Sequence, residues 1–310
     1  MNTISIDDYS GFCWGVVQTI DKVEDCLKKY KNKQVYVLGE IIHNPHEIAR
    51  LAKKNLKTIS PQQLYDIPSD SSVVVIRAHG EPPSTYDNIK NLKLELIDAT
   101  CPLVQRLQEK ISKYYSENYQ IIIFGKHNHA EVVGLRGFCN DECVVILEFD
   151  ELVNKIDFSK KTILCSQTTM DINALNTLHS KIKEEFQKKC CADNNFIFEN
   201  TICKFVINRE EKLREFAKSN EAILFVAGHH SSNGKVLFDI CKSENSNSYF
   251  IENFEEIDFD KIKTASKIGI TGATSTPKWF LEEMKNKLES ITTANNVNNK
   301  NEVNNKNELL

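Results

Sequence analysis

The stretch LELIDATCPLVQRLQEKISKYY, residues 94–115, changes character at one residue. Up to Cys101 it is a short apolar run of strand type; after Cys101 it carries a helical pattern. The same junction occurs twice more. ISIDDYSGFC (4–13) leads into GVVQTIDKVEDCLKKY (15–30), and FIFENTIC (196–203) leads into KFVINREEKLREFAKS (204–219). A strand that ends on Cys and gives way to a helix is therefore repeated three times, which points to three similar units.

Two further strand ends keep register with each Cys. The first set is His43-Asn44, His129-Ala130-Glu131 and Ser231-Ser232-Asn233, at offsets of 30, 28 and 28 residues. The second is Ala78-His79-Gly80, Gln167-Thr168-Thr169 and Ala273-Thr274-Ser275, at offsets of 66, 67 and 72. Between them run QVYVLG, VVVIRA, QIIIFG, KTILCS, AILFVAG and KIGITG, alternating with amphipathic stretches. That rhythm predicts α/β units with parallel sheets, at 14–101, 102–199 and 1–13 with 200–291. Ligands of such units bind beyond the carboxyl ends of the strands, where helix N-termini begin. If those ends face a shared axis, three thiolates and six polar tips meet in one cavity.

Composition bounds the partners. Lys and Arg number 39 against 43 Asp and Glu, so no basic field exists to attract nucleic acid or an acidic membrane surface. The N-terminal MNTISIDDYSGFCWGVV has neither the basic flank nor the apolar run of a secretory signal, and a cytoplasmic location is expected. Ten cysteines then read as buried thiols or metal ligands. From about residue 292 the chain is Asn/Lys-rich, repeats VNNKNE and is expected to be disordered.

Three thiolates are one short of the usual four at an all-Cys metal site. A 4Fe-4S cluster held by three Cys leaves one iron open to a substrate oxygen, which joins reduction to carbon–oxygen cleavage. A zinc module closed by His129 uses the same thiols. Cys26, Cys139, Cys143, Cys165, Cys190, Cys191 and Cys241 hold no repeated position and read as structural. The polar tips, rich in His, Ser, Thr and Asn, suit hydrogen bonds to a phosphate group. Glu131 is the one carboxylate among the nine clusters, and burial would raise its pKa towards that of a proton donor at neutral pH.

Gly11-Phe12-Cys13, Ala78-His79-Gly80, Ala99-Thr100-Cys101-Pro102-Leu103-Val104, His129-x-Glu131-Val132, Gln167-Thr168-Thr169, Thr201-Ile202-Cys203 and Ser231-Ser232-Asn233 together resemble the 4-hydroxy-3-methylbut-2-enyl diphosphate reductase family over residues 4–285. The resemblance implies three α/β domains in pseudo-threefold array around a 4Fe-4S cluster. It implies two-electron removal of the substrate's allylic hydroxyl, giving isopentenyl and dimethylallyl diphosphates. Cys13, Cys101 and Cys203 look like the cluster ligands, Glu131 like the proton donor, and Thr168 like a contact to the substrate hydroxyl. His43, His79, His129, Ser231, Ser232, Asn233 and Ser275 look like the diphosphate cradle. Ferredoxin or flavodoxin is implied as electron donor, and a monomer or weak homodimer is expected. A quinolinate-synthase-like enzyme, which also resembles three α/β domains around a three-Cys cluster, is the alternative; it would take carboxylate substrates.

Overall fold

The computed structural model describes residues 3–152, 154–189 and 195–291. The Asn/Lys-rich tail, Cys190 and Cys191 lie outside the described residues. In chain order the elements are β1 (Thr3–Ile6), α1 (Trp14–Lys29), β2 (Gln34–Leu38), α2 (Pro45–Ala52), β3 (Leu56–Ile59), β4 (Ser72–Ile76), α3 (Pro83–Asn91), β5 (Glu95–Asp98), α4 (Pro102–Ser116) and β6 (Gln120–Phe124). There follow α5 (Ala130–Gly137), β7 (Cys143–Ile146), β8 (Thr162–Ser166), α6 (Ile172–Lys189), β9 (Phe196–Phe198), α7 (Lys204–Lys218), β10 (Ala222–Val226), α8 (Ser232–Glu244), β11 (Ser248–Ile251), α9 (Phe259–Ile262) and β12 (Lys267–Gly272). A last helix covers 278–291.

The strands form three four-stranded sheets, in the orders β3-β2-β4-β5, β7-β6-β8-β9 and β11-β10-β12-β1, and every pairing is parallel. The three orders are one topology. In the third sheet the fourth position is taken by β1 from the start of the chain, with Ile4 opposite Ile268. The expectation of three parallel α/β units holds.

The inner strands are apolar because helices cover both faces. Along SVVVI of β4, TILCS of β8 and AILFV of β10 every residue is buried. Alternation then sorts them by face. In the second sheet Ile122, Phe124 and Leu164 pack with Leu175, Leu178 and Ile182 of α6. Ile121, Ile123 and Ile163 pack with Leu107 and Ile111 of α4 and Val132 and Leu135 of α5. Each sheet also has an edge strand, β3, β7 or β11, that the sequence reading did not list.

The chain divides into two compact units, one of Cys13–Ile207 and one of Asn208 onward with the chain start up to Phe12. The former holds the first two sheets and the latter the third. Among the described residues no helix is long and apolar enough to cross a membrane.

Candidate active site

All nine strand-end clusters follow the carboxyl ends of their strands: β2, β6 and β10 for the first set, β4, β8 and β12 for the second, and β1, β5 and β9 for the cysteines. Cys13 and Cys101 are the N-caps of α1 and α4, and Cys203 immediately precedes α7. A thiolate is favoured there by exposed N–H groups and the helix dipole. Backbone bonds hold the loops: Cys101 N–H donates to Ala78 O at 3.0 Å and Cys203 N–H to Thr168 O at 2.8 Å. The Thr19 hydroxyl donates to Ala99 O at 2.8 Å, fixing α1 against the approach to Cys101.

These three thiols are free and half-buried. Burial pushes the Cys13 thiol up to about 11; the N–H groups of Val16 and Gly15 oppose this, while Cys203 and Cys101 add to it. Burial likewise raises Cys101, against the N–H groups of Leu103 and Val104. Neighbouring buried thiols that repel one another's ionised forms become favourable once a metal takes the place of their protons. Room is left for one. A Cβ on Gly15 would stand 2.6 Å from Cys101 Sγ and 4.0 Å from Cys13 Sγ, so the glycine keeps the space over both sulfurs clear. The three-thiol donor set and this clearance fit an iron–sulfur cluster.

In the same unit, the rings of His43, His79 and His129 form a group. Their centroids lie 4.7 Å (His43–His79), 5.5 Å (His43–His129) and 5.4 Å (His79–His129) apart. Burial drives His79 well below its ordinary value, and drives His129 down to about 4, with His43 and Arg77 adding to both effects. His129 is the N-cap of α5, its Nδ1 accepting from Glu131 N–H at 3.2 Å. Its neutral ring therefore carries the proton on Nε2 and presents a donor, which suits an anion better than a metal ion. His43 Nδ1 donates to Glu40 Oε2 at 3.2 Å. Among the described residues, His43 Nε2 and His79 Nδ1 are buried with no hydrogen-bond partner. Buried polar atoms left in this way mark a place for a ligand.

Glu131 is 2% exposed in the first turn of α5. Thr168 N–H donates to its Oε1 at 2.6 Å and the Thr168 hydroxyl to its Oε2 at 2.8 Å. Burial nonetheless raises its pKa to about 7, the hydrogen bonds from Thr168 working the other way. A carboxyl that titrates there can hold or release a proton at neutral pH. Because Thr168 O also accepts from Cys203 N–H, a single residue ties this acid to a cysteine loop.

The remaining candidates belong to the other unit. Ser231 is the N-cap of α8, its Oγ accepting from Gly234 N–H at 3.0 Å. Asn233 Oδ1 accepts from Thr274 N–H at 3.1 Å and from the Thr274 hydroxyl at 2.8 Å. That fixes the amide orientation, so Nδ2 is a donor, and both it and Ser275 Oγ are buried without a partner among the described residues. Ser232 is buried beside them. Sequence reasoning gave no role to Gly15, Glu40 or Arg77. Gly15 and Arg77 adjoin quoted motifs, and Glu40 lies three residues before His43, but none occupies a repeated position.

Known proteins resemble this chain over most of its length. Residues 4–289 match the family model described as LytB protein. A 4-hydroxy-3-methylbut-2-enyl diphosphate reductase of Chloroherpeton thalassium is 41% identical, covering 94% of this chain and 98% of that protein. One of Bacteroides fragilis is 42% identical over the same shares. The solved E-1-hydroxy-2-methyl-but-2-enyl-4-diphosphate reductase of Plasmodium falciparum superposes with a TM-score of 0.81 at 27% identity, covering 94% of this chain and 87% of that one. A second solved structure, of (E)-4-hydroxy-3-methyl-but-2-enyl diphosphate reductase, the terminal enzyme of the non-mevalonate pathway, gives 0.69 at 28% identity, with 94% and 100% covered. Since the matched span contains all nine strand-end clusters from Cys13 to Ser275, the chain belongs to the LytB protein family.

Proposed function

We propose that this chain is a reductase that removes the allylic hydroxyl of 4-hydroxy-3-methylbut-2-enyl diphosphate, the last step of the non-mevalonate isoprenoid route. The substrate takes up two electrons and two protons, loses water at the carbon–oxygen bond, and leaves as isopentenyl or dimethylallyl diphosphate. Cys13, Cys101 and Cys203 would hold a 4Fe-4S cluster with one iron free of protein ligands. When bound, such a cluster supplies electrons and a Lewis-acidic iron. Ferredoxin or flavodoxin is the proposed source of electrons, and the proposed state is a cytoplasmic monomer or weak homodimer.

The observation that carries the reading is the Glu131–Thr168 pair. A reductive dehydroxylation needs an acid near the departing oxygen, and Glu131 is a buried carboxyl with a pKa raised to about 7. Thr168 orients it through two hydrogen bonds, and its hydroxyl oxygen would accept from the substrate hydroxyl. His43, His79 and His129 would cradle the diphosphate, His129 donating through Nε2, with the two unpartnered ring nitrogens of His43 and His79 supporting a ligand at this place. Asn233 Nδ2 and Ser275 Oγ are further donors, and Ser231 and Ser232 add hydroxyls at the start of α8, where anions are favoured.

Anaerobic incubation of iron- and sulfide-loaded protein with the substrate and a reduced low-potential dye tests this. Release of both five-carbon diphosphates is expected. A loaded sample that releases neither would overturn the proposal.

A further inference from the structure

Two of the three grouped imidazoles, His79 and His129, are held neutral by burial. A neutral ring donates a hydrogen bond but brings no charge, whereas a diphosphate leaving water for this loop cluster carries several negative charges. A fixed cation nearby would offset that charge. Arg77, two residues before His79, is placed so that its charge acts on both His79 and His129. Its Nη1 lies 2.3 Å from where a Cβ on Gly39 would be, and Gly39 has φ +67, so the guanidinium rests on backbone that only glycine takes up readily. Nη2 stands 3.2 Å from Glu81 Oε1, and Nε is buried with no hydrogen-bond partner among the described residues. The Arg77 side chain is 17% exposed and that of Glu81 6%, so their charges are screened much less than a surface pair. His43 and Lys126 act on His129 more strongly than Arg77 does, Lys126 having contacts of its own, but of the two basic side chains only Arg77 acts on His79 as well.

We propose that Arg77 is a positioning residue for the diphosphate, drawing the anion to His43, His79 and His129 through its fixed charge, and that Glu81 limits the strength of that attraction. The inference rests on the reading of the three imidazoles as an anion cradle. It makes a signed prediction: removing the cation and removing its carboxylate partner must move anion affinity in opposite directions.

The experiment is calorimetric titration of inorganic pyrophosphate into anaerobic, cluster-loaded protein at several salt concentrations. Arg77→Gln should weaken binding about tenfold and flatten its salt dependence, and Arg77→Lys should restore most of the affinity. Glu81→Gln should tighten binding about threefold or more. In turnover, Arg77→Gln should act mainly on KM. Equal affinity in Arg77→Gln and wild type, or weaker binding in Glu81→Gln, would overturn the proposal. If Arg77→Gln does not fold, Glu81→Gln decides alone. A wild-type protein that binds no pyrophosphate would overturn the cradle reading and this inference with it, a result distinct from bound pyrophosphate that ignores Arg77.

Discussion

Burial that pushes the Glu131 carboxyl up to about 7 also makes the folded chain's stability depend on pH. The unfolded carboxyl ionises near 4.5, so between there and 7 the unfolded state releases a proton that the folded state keeps. Stability is lost as pH rises through that window, by up to about 3 kcal/mol. Glu131→Gln lacks this loss. Its stability relative to wild type should therefore grow from pH 4.5 to 7, which urea unfolding at several pH values would check; a constant difference would count against the raised pKa. The same substitution should keep the cluster and lower turnover by about 100-fold or more, and wild-type turnover should fall as pH rises above 7. Gly15→Ala gives a second prediction. Alanine favours the helix by about 1 kcal/mol, yet its Cβ would meet Cys101 Sγ at 2.6 Å. Iron content should drop although α1 is no weaker, and full loading would contradict the assigned space. The cysteines, Glu131 and Thr168 were legible because each keeps an offset from a repeated junction. Gly15, Glu40 and Arg77 were not, because their roles come from contacts that no spacing encodes.

Among the elements, helix starts do most to place the site. Asn44, His129 and Ser231 are the N-caps of α2, α5 and α8, the equivalent helices of the three sheets, and each accepts from an N–H of its own first turn. Capping thus fixes the residue beside each polar tip. Asn44→Ala removes the acceptor that holds Glu47 N–H at 3.0 Å, and should cost about 1 kcal/mol. Urea unfolding would measure that, and no change would mean that the cap is replaceable. The inner strands were legible as apolar runs followed by polar clusters. The edge strands β1, β5 and β9 were legible through the cysteine junction each leads to; LKTI of β3, CVVI of β7 and SYFI of β11, four residues each and half-exposed in part, lead to no repeated cluster and were not.

For the whole molecule, the repeated topology explains why the chain start and the later chain share one unit. β1 fills the fourth place of the β10–β12 sheet, and just beyond it Asp7 forms an ion pair with Arg209 that is almost fully buried. The Thr271 hydroxyl also donates to Asp7 Oδ2, at 2.8 Å. Asp7→Ala would leave the Arg209 charge buried without its counter-ion, at a cost of about 3 to 5 kcal/mol. An unchanged urea midpoint would contradict this role. We propose that 14–101, 102–199 and 1–13 with 200–291 are the three modules of this repeat, each with one sheet, and that Cys13, Cys101 and Cys203 lie at or near their sequence boundaries. The most direct test of the central claim, that three strand-end thiols hold one iron–sulfur cluster, is iron, sulfide and zinc analysis of anaerobically prepared wild type beside Cys101→Ser. The account predicts about four irons and four sulfides per chain, and markedly less in the variant. About one zinc without sulfide, or a fully loaded variant, would contradict it.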